Sequence, residues 1–171
     1  MFNNLIVACL PLVPRPIIHR ISSRYIAGDE LSDAIATARR LHGEEGVWST
    51  IDVLGEFVES REQALADRDA SSAVLEAIAD GDLLGVAGLS VKPTSLGLGV
   101  DVEFAYDNIR ALALEARDRG IFMRIDMENS PYTDDTLAVY RRLRDEGIDN
   151  IGIVLQSMLR RTEQDVRDLV E

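Results

Sequence analysis

The sequence predicts an α/β fold with a parallel sheet, and three observations carry that prediction. Short apolar runs alternate with longer stretches of helical periodicity from Val47 to the end of the chain. A run such as Ile151-Gly152-Ile153-Val154-Leu155 lacks the polar alternation of a half-exposed strand, so burial on both faces is expected. Successive runs are spaced by roughly 30–40 residues, the size of one βα unit.

The elements follow in order. Leu5–Ile18 is apolar but interrupted by Pro11, Pro14 and Pro16. It is too short and too broken to span a bilayer. It also lacks the basic start and small-residue cleavage site of a signal peptide, so it is expected to pack on the domain as an amphipathic leading segment. A helix is expected over Ser22–Ala27, and Gly28 separates it from a second helix. Asp29 is the expected N-cap of that second helix, and Leu31, Ile35, Ala38 and Leu41 recur at helical spacing. His42-Gly43 is expected to close it. Residues 1–44 thus read as an N-terminal helical segment and 45–171 as the α/β unit.

The first strand is expected over Val47–Val53, with a helix from Arg61 to Ala79. The second covers Leu83–Val91, with a helix from Val102 to Arg119. The third covers Ile121–Met127, with a helix from Thr133 to Glu146. The fourth covers Ile151–Leu155, with a helix starting near Thr162. Gly46, Gly81, Gly120 and Gly147 each fall shortly before a strand, where a helix C-terminal glycine belongs.

A chain of 171 residues that is 46% hydrophobic suits one domain with a sizeable core. It is short for a complete βα barrel, which needs about 250 residues. The net charge of −12 argues against nucleic acid, which requires clustered cations, and against broad docking on anionic lipid. Cys9 is the one cysteine, so no internal disulfide can form. With no CxxC or HxxxH spacing a structural zinc site is not expected, and the chain is expected to be cytoplasmic.

Each expected strand carries polar residues at its C-terminal end: Asp52 and Glu56, then Lys92, then Asp126 and Glu128, then Gln156. Singly they have ordinary readings. Lys92 is a surface lysine, Asp52 a loop cap, Glu56 a solvated acid and Gln156 a partner for loop backbone. Asp126 and Asp134–Asp135 are acids at helix N-termini. Together, at one end of consecutive strands, they favour a TIM-like (βα)8 barrel, whose sites are built on that face. Periodicity alone equally allows a small doubly wound sheet. The fold expected is therefore about the first four βα units of such a barrel, preceded by N-terminal helices. Gly97-Leu98-Gly99 does not complete a GxGxxG fingerprint and reads as a flexible loop. There is no GxSxG elbow. Ser49 and Ser90 have no paired histidine, since His19 and His42 lie outside the strand-end set, so triad chemistry is not expected.

Four segments at these strand ends carry a resemblance. They are Ser49-Thr50-Ile51-Asp52-Val53-Leu54-Gly55-Glu56, Leu89-Ser90-Val91-Lys92-Pro93-Thr94-Ser95-Leu96, Arg124-Ile125-Asp126-Met127-Glu128-Asn129, and Gly152-Ile153-Val154-Leu155-Gln156-Ser157 with Leu159-Arg160-Arg161-Thr162. In this order and spacing the chain resembles the proline dehydrogenase family over Tyr25–Glu171. The resemblance implies oxidation of L-proline to 1-pyrroline-5-carboxylate on FAD, within a (βα)8 barrel, with electrons passed to membrane quinone. It implies that Lys92 pairs with the substrate carboxylate and that Asp126 is the active-site aspartate. It further implies that Met127 and Gln156 contact the flavin, with Asp52 and Glu128 in support. Pro93 departs from the family's leucine, and its fixed φ and missing amide donor predict a different loop after Lys92.

The resemblance also implies a fifth-strand arginine, and a tyrosine with an arginine pair on a last helix, beyond Glu171. Tyr140-Arg141-Arg142 matches the latter in letters only; it is expected to be a solvated helical face. Arg160-Arg161 belongs to the fourth-strand loop. The isolated chain is accordingly expected to bind FAD weakly or not at all, to lack turnover, and to self-associate through its open half-barrel. A quinone acceptor would place the protein at the inner face of a membrane. Two rival readings stand beside this one: an aldolase-like lyase with Lys92 as a Schiff-base lysine, and a non-catalytic half-barrel that acts as an interaction module.

Overall fold

The computed structural model describes residues 26–170 apart from positions 29 and 56. Leu5–Ile18, Cys9, His19, most of Ser22–Ala27, the expected N-cap Asp29 and the strand-end acid Glu56 lie outside the described residues. Within them the elements run α1 (Leu31–Glu45), β1 (Ser49–Asp52), α2 (Arg61–Asp80), β2 (Ala87–Val91), α3 (Val102–Asp118), β3 (Met123–Ile125), a short 3-10 turn (Ser130–Tyr132), α4 (Thr133–Asp145), β4 (Ile151–Ile153) and α5 (Thr162–Val170).

The sheet is parallel throughout, in the order β1-β2-β3-β4. This order resolves the ambiguity left by periodicity. A doubly wound sheet reverses direction at a switch point, whereas a barrel adds each strand beside the last. Right-handed crossovers then keep every helix on the same face. Ile51, Leu89, Met123 and Ile151 are in register and turn toward that face, where they meet Leu75 and Ile78 of α2, Ile109 and Leu112 of α3, and Leu143 of α4 in one core. α1 adds Ile35 and Ala38 to it, packing on β1 and α2. The opposite row, Asp52, Ser90, Arg124 and Gly152, forms the inner face.

Burial on both faces holds for β2, every residue of which is buried between its neighbours. It does not hold at β4, where only Ile151 is buried and Gly152 to Gln156 are half-buried. β3 and β4 are also shorter than the apolar runs predicted, although the ladder continues past them. The Asp126 N–H donates to Val91 O at 2.9 Å and the Val154 N–H to Ile125 O at 2.9 Å.

Three further expectations are corrected. His42-Gly43 does not end α1: the helix runs on to Glu45, helped by an Arg40–Glu44 pair at 3.1 Å. Gly46 takes the left-handed cap (φ 67°), its N–H donating to His42 O. Gly81 caps α2 but stays right-handed (φ −80°), and the left-handed position falls on Asp82 (φ 58°). Tyr140-Arg141-Arg142 is not wholly a solvated face. Arg142 stacks on the Tyr106 ring at 3.7 Å and grips Glu103 through both its terminal nitrogens at 2.7 and 2.9 Å, while Tyr140 packs on the core. Tyr106 in turn donates to Glu146, which also accepts from Arg110 at 2.6 Å, so α3 and α4 are clamped by one network.

Candidate active site

At the C-terminal ends of the strands, hydrogen bonds stitch each strand to its neighbour. β1 and β2 are joined by an ion pair between Lys92 and Asp52, both partly shielded from solvent. β2 and β3 are joined twice. Ser90 Oγ donates to Asp126 Oδ1 at 2.9 Å. Beyond it Thr94 holds both oxygens of Glu128, with its N–H at 2.8 Å and its hydroxyl at 2.6 Å. β3 and β4 are joined by Gln156, whose amide donates to Met127 O at 3.0 Å, and Thr162 of α5 donates to Gln156 O at 2.6 Å. Arg161 fastens the loop after β4, pairing with Asp134 at 2.7 Å in the first turn of α4 and with Asp165 at 2.8 Å.

The loop after Lys92 is wound tightly. Ser95 N–H donates to Lys92 O, and both Leu96 and Leu98 N–H groups donate to Pro93 O, so Pro93 serves as the acceptor at its centre. Leu96 and Leu98 are buried and the Asn108 amide donates to Leu96 O at 3.0 Å. The flexible loop expected at Gly97-Leu98-Gly99 is thus an ordered, largely buried turn. Gly97 has φ 102°, and a Cβ there would lie 2.9 Å from the Phe104 ring.

Above this stitched rim lies an open cavity of about 500 Å³, lined by Lys92, Met127, Glu128 and Gln156 with Phe57 and Met158 among its walls. All four of these expected site residues from β2, β3 and β4 meet in it, and Asp52 reaches it through Lys92. Asp126 is half-buried one step below, tied to Ser90. Phe57 is a non-glycine residue at φ 47°, its ring 6.1 Å from that of Tyr132. A bulky residue held there marks strain of the kind that collects at functional sites.

The sequence reasoning passed over Ser90 and Thr94. Ser90 was weighed only as a nucleophile, yet it lies two residues before Lys92 and so shares its face. Nothing in the sequence marks Thr94, whose partner is brought near only by the β2–β3 pairing. Among the described residues no cluster of His, Cys, Asp and Glu could hold a metal ion.

Four sequential parallel βα units with a polar site at the strand C-termini define one half of a (βα)8 barrel enzyme scaffold. The family model for proline dehydrogenase matches residues 34–171. Proline dehydrogenase 1 of Bacillus subtilis (strain 168) is 34% identical over 146 residues, covering 85% of this chain and 47% of that protein. Proline dehydrogenase of Deinococcus radiodurans is 31% identical over 150 residues, covering 83% and 46%. Proline utilization A (PutA) of Bdellovibrio bacteriovorus, solved after inactivation by N-propargylglycine, superposes with a TM-score of 0.80 at 20% identity, over 89% of this chain and 18% of that one. The chain belongs to the proline dehydrogenase family. It spans about half the length of the curated relatives it matches.

Proposed function

We propose that this chain forms the N-terminal half of a site that oxidises L-proline to 1-pyrroline-5-carboxylate, with FAD as the hydride acceptor. The observation that carries the proposal is the convergence of Lys92, Met127 and Gln156 on one cavity above the ion pair and carboxylates of the strand ends. Lys92 is the group for the substrate carboxylate, to which an ammonium offers a charge-assisted hydrogen bond. Asp52 fixes where that ammonium sits. Asp126, oriented by Ser90, is the active-site acid that supports the substrate-binding network, and Glu128, gripped by Thr94, keeps the loops after β2 and β3 together.

The cavity suits one flank of a planar ring system: Met127 and Met158 offer apolar contact, and the Gln156 carboxamide oxygen remains as an acceptor once its nitrogen is engaged. Met127 and Gln156 would hold the flavin, which supplies hydride acceptance when bound. The protein's own part is to bind, orient and exclude water. The electron acceptor is membrane quinone, reached by peripheral attachment; among the described residues no helix is long and apolar enough to cross a membrane. Residues 1–44 serve as a leader to the half-barrel formed by 45–171. The free edges of β1 and β4 make the open face the surface through which the chain associates.

The aldolase-like reading is disfavoured by the Lys92–Asp52 pair, since an ammonium held on a carboxylate is a poor carbonyl nucleophile. The test is reconstitution with the C-terminal half of the Bacillus subtilis relative in the presence of FAD. The pair is expected to retain flavin and reduce a dye when proline is added, and the chain alone to do neither. Lys92→Gln in that pair is expected to raise KM for proline at least about tenfold, with kcat changed less. A flavin-loaded pair that leaves proline untouched would overturn the reading.

A further inference from the structure

The inner face of the sheet carries a cation without a counter-charge. Strand alternation puts Arg124 on that face, in register with Ser90 of β2 and Gly152 of β4. Beside it Trp48, Thr50, Gly88 and Phe122 line a hollow of about 150 Å³. The carboxylates of the same face are engaged elsewhere, Asp52 by Lys92 and Asp126 by Ser90. Among the described residues no carboxylate pairs with Arg124, which is exposed, as are Trp48 (72%) and Phe122 (43%). A guanidinium among apolar rings is at ease in water. Once the face is covered it requires an anion, because an unpaired buried charge is strongly destabilising.

A second copy of this chain cannot supply that anion in a closed barrel. Two sequential four-stranded sheets joined edge to edge set β3 of one opposite β3 of the other, and side chains from alternate strands share one layer of the lumen. The two Arg124 side chains would meet in that layer.

We propose that the sheet is closed by a non-identical parallel half-barrel that turns a carboxylate into the Arg124 layer. A half of that kind matches in size the rest of the curated relatives, of which this chain spans 47%. The inference rests on the half-barrel fold and not on the proposed chemistry, and its test needs no turnover.

The test uses the chain and its own Arg124→Glu variant, which presents the missing carboxylate on the same backbone. Sedimentation velocity is measured for each alone, for the equimolar mixture, and for Arg124→Gln, with circular dichroism to confirm folding of each. The mixture is expected to form a one-to-one pair at least about tenfold tighter than any self-pair, and to weaken as salt is raised. A wild-type or Arg124→Gln self-pair as tight as the mixture would overturn the proposal in favour of a second copy. In a further arm, the C-terminal half of the Bacillus subtilis relative is expected to bind wild type at least about tenfold tighter than Arg124→Glu. Equal binding to both overturns the proposal, whether or not the pair oxidises proline.

Discussion

Thr94 shows how much of the site depends on a residue that touches neither face of the cavity. It is almost wholly buried, and both its donors are spent on Glu128. Thr94→Ala removes the hydroxyl and leaves a carboxylate oxygen short of a donor. It is expected to lower stability by about 1–2 kcal/mol in urea denaturation, while Thr94→Ser loses less. Asp82 offers the reverse case. Its φ of 58° is a left-handed conformation that costs any residue with a Cβ, and its side chain is exposed. Asp82→Gly is expected to raise the urea midpoint, by about 0.5–1 kcal/mol in stability. The strand-end residues Lys92, Asp126 and Gln156 were legible in the sequence because they are polar where the pattern calls for apolar. Ser90 and Thr94 were not, since a serine or threonine at a strand end is unremarkable until its partner on another strand is known.

Among the elements, the β2–β3–β4 ladder is packed too closely on its inner face for side chains at two positions. A Cβ at Gly88 would lie 2.6 Å from the Phe122 carbonyl oxygen, whereas one at Gly152 would lie 2.7 Å from the tip of the Phe122 ring. Backbone cannot swing away and an exposed ring can. Gly88→Ala is therefore expected to cost about 1–3 kcal/mol, and Gly152→Ala clearly less, in paired thermal melts.

The α3–α4 clamp gives the fold an acid-sensitive seam. The Tyr106 hydroxyl and the Arg110 guanidinium hold the Glu146 carboxyl below its ordinary value, and Arg142 does the same to Glu103. A depressed folded pKa stabilises at pH values above the usual carboxylate range. That contribution is lost as pH falls through the lower folded values. The melting temperature of Glu146→Gln should therefore lie below that of wild type at neutral pH and approach it as the solution is acidified. None of this seam could be read from Tyr140-Arg141-Arg142 alone, because Tyr106, Glu103 and Glu146 come from other turns of sequence. The βα alternation itself was legible in full. Its helix ends were less so, since a glycine inside a helix, as at Gly43, looks the same in sequence as one that ends it.

For the whole molecule, the inner face decides behaviour. Trp48 is the one tryptophan and stands largely in solvent on that face. Its emission is expected to be that of a hydrated indole in the free chain, and to move to the blue when a complementary half-barrel is added. An unchanged spectrum on complex formation would mean that the partner docks elsewhere. The half-barrel as a class was foreseeable from four units and their strand-end residues. The sequential strand order was not, because apolar periodicity carries no information about which strand lies beside which.

That order bears on how the protein comes into being. Every strand pairs only with the one synthesised just before it, and every helix is laid down between two strands already adjacent in space. Contacts are therefore local in sequence, which favours rapid structure formation. A chain emerging from the ribosome could add its units one at a time, each new strand templated on the edge of the last. The edge waiting at β4 is the growing end of that series.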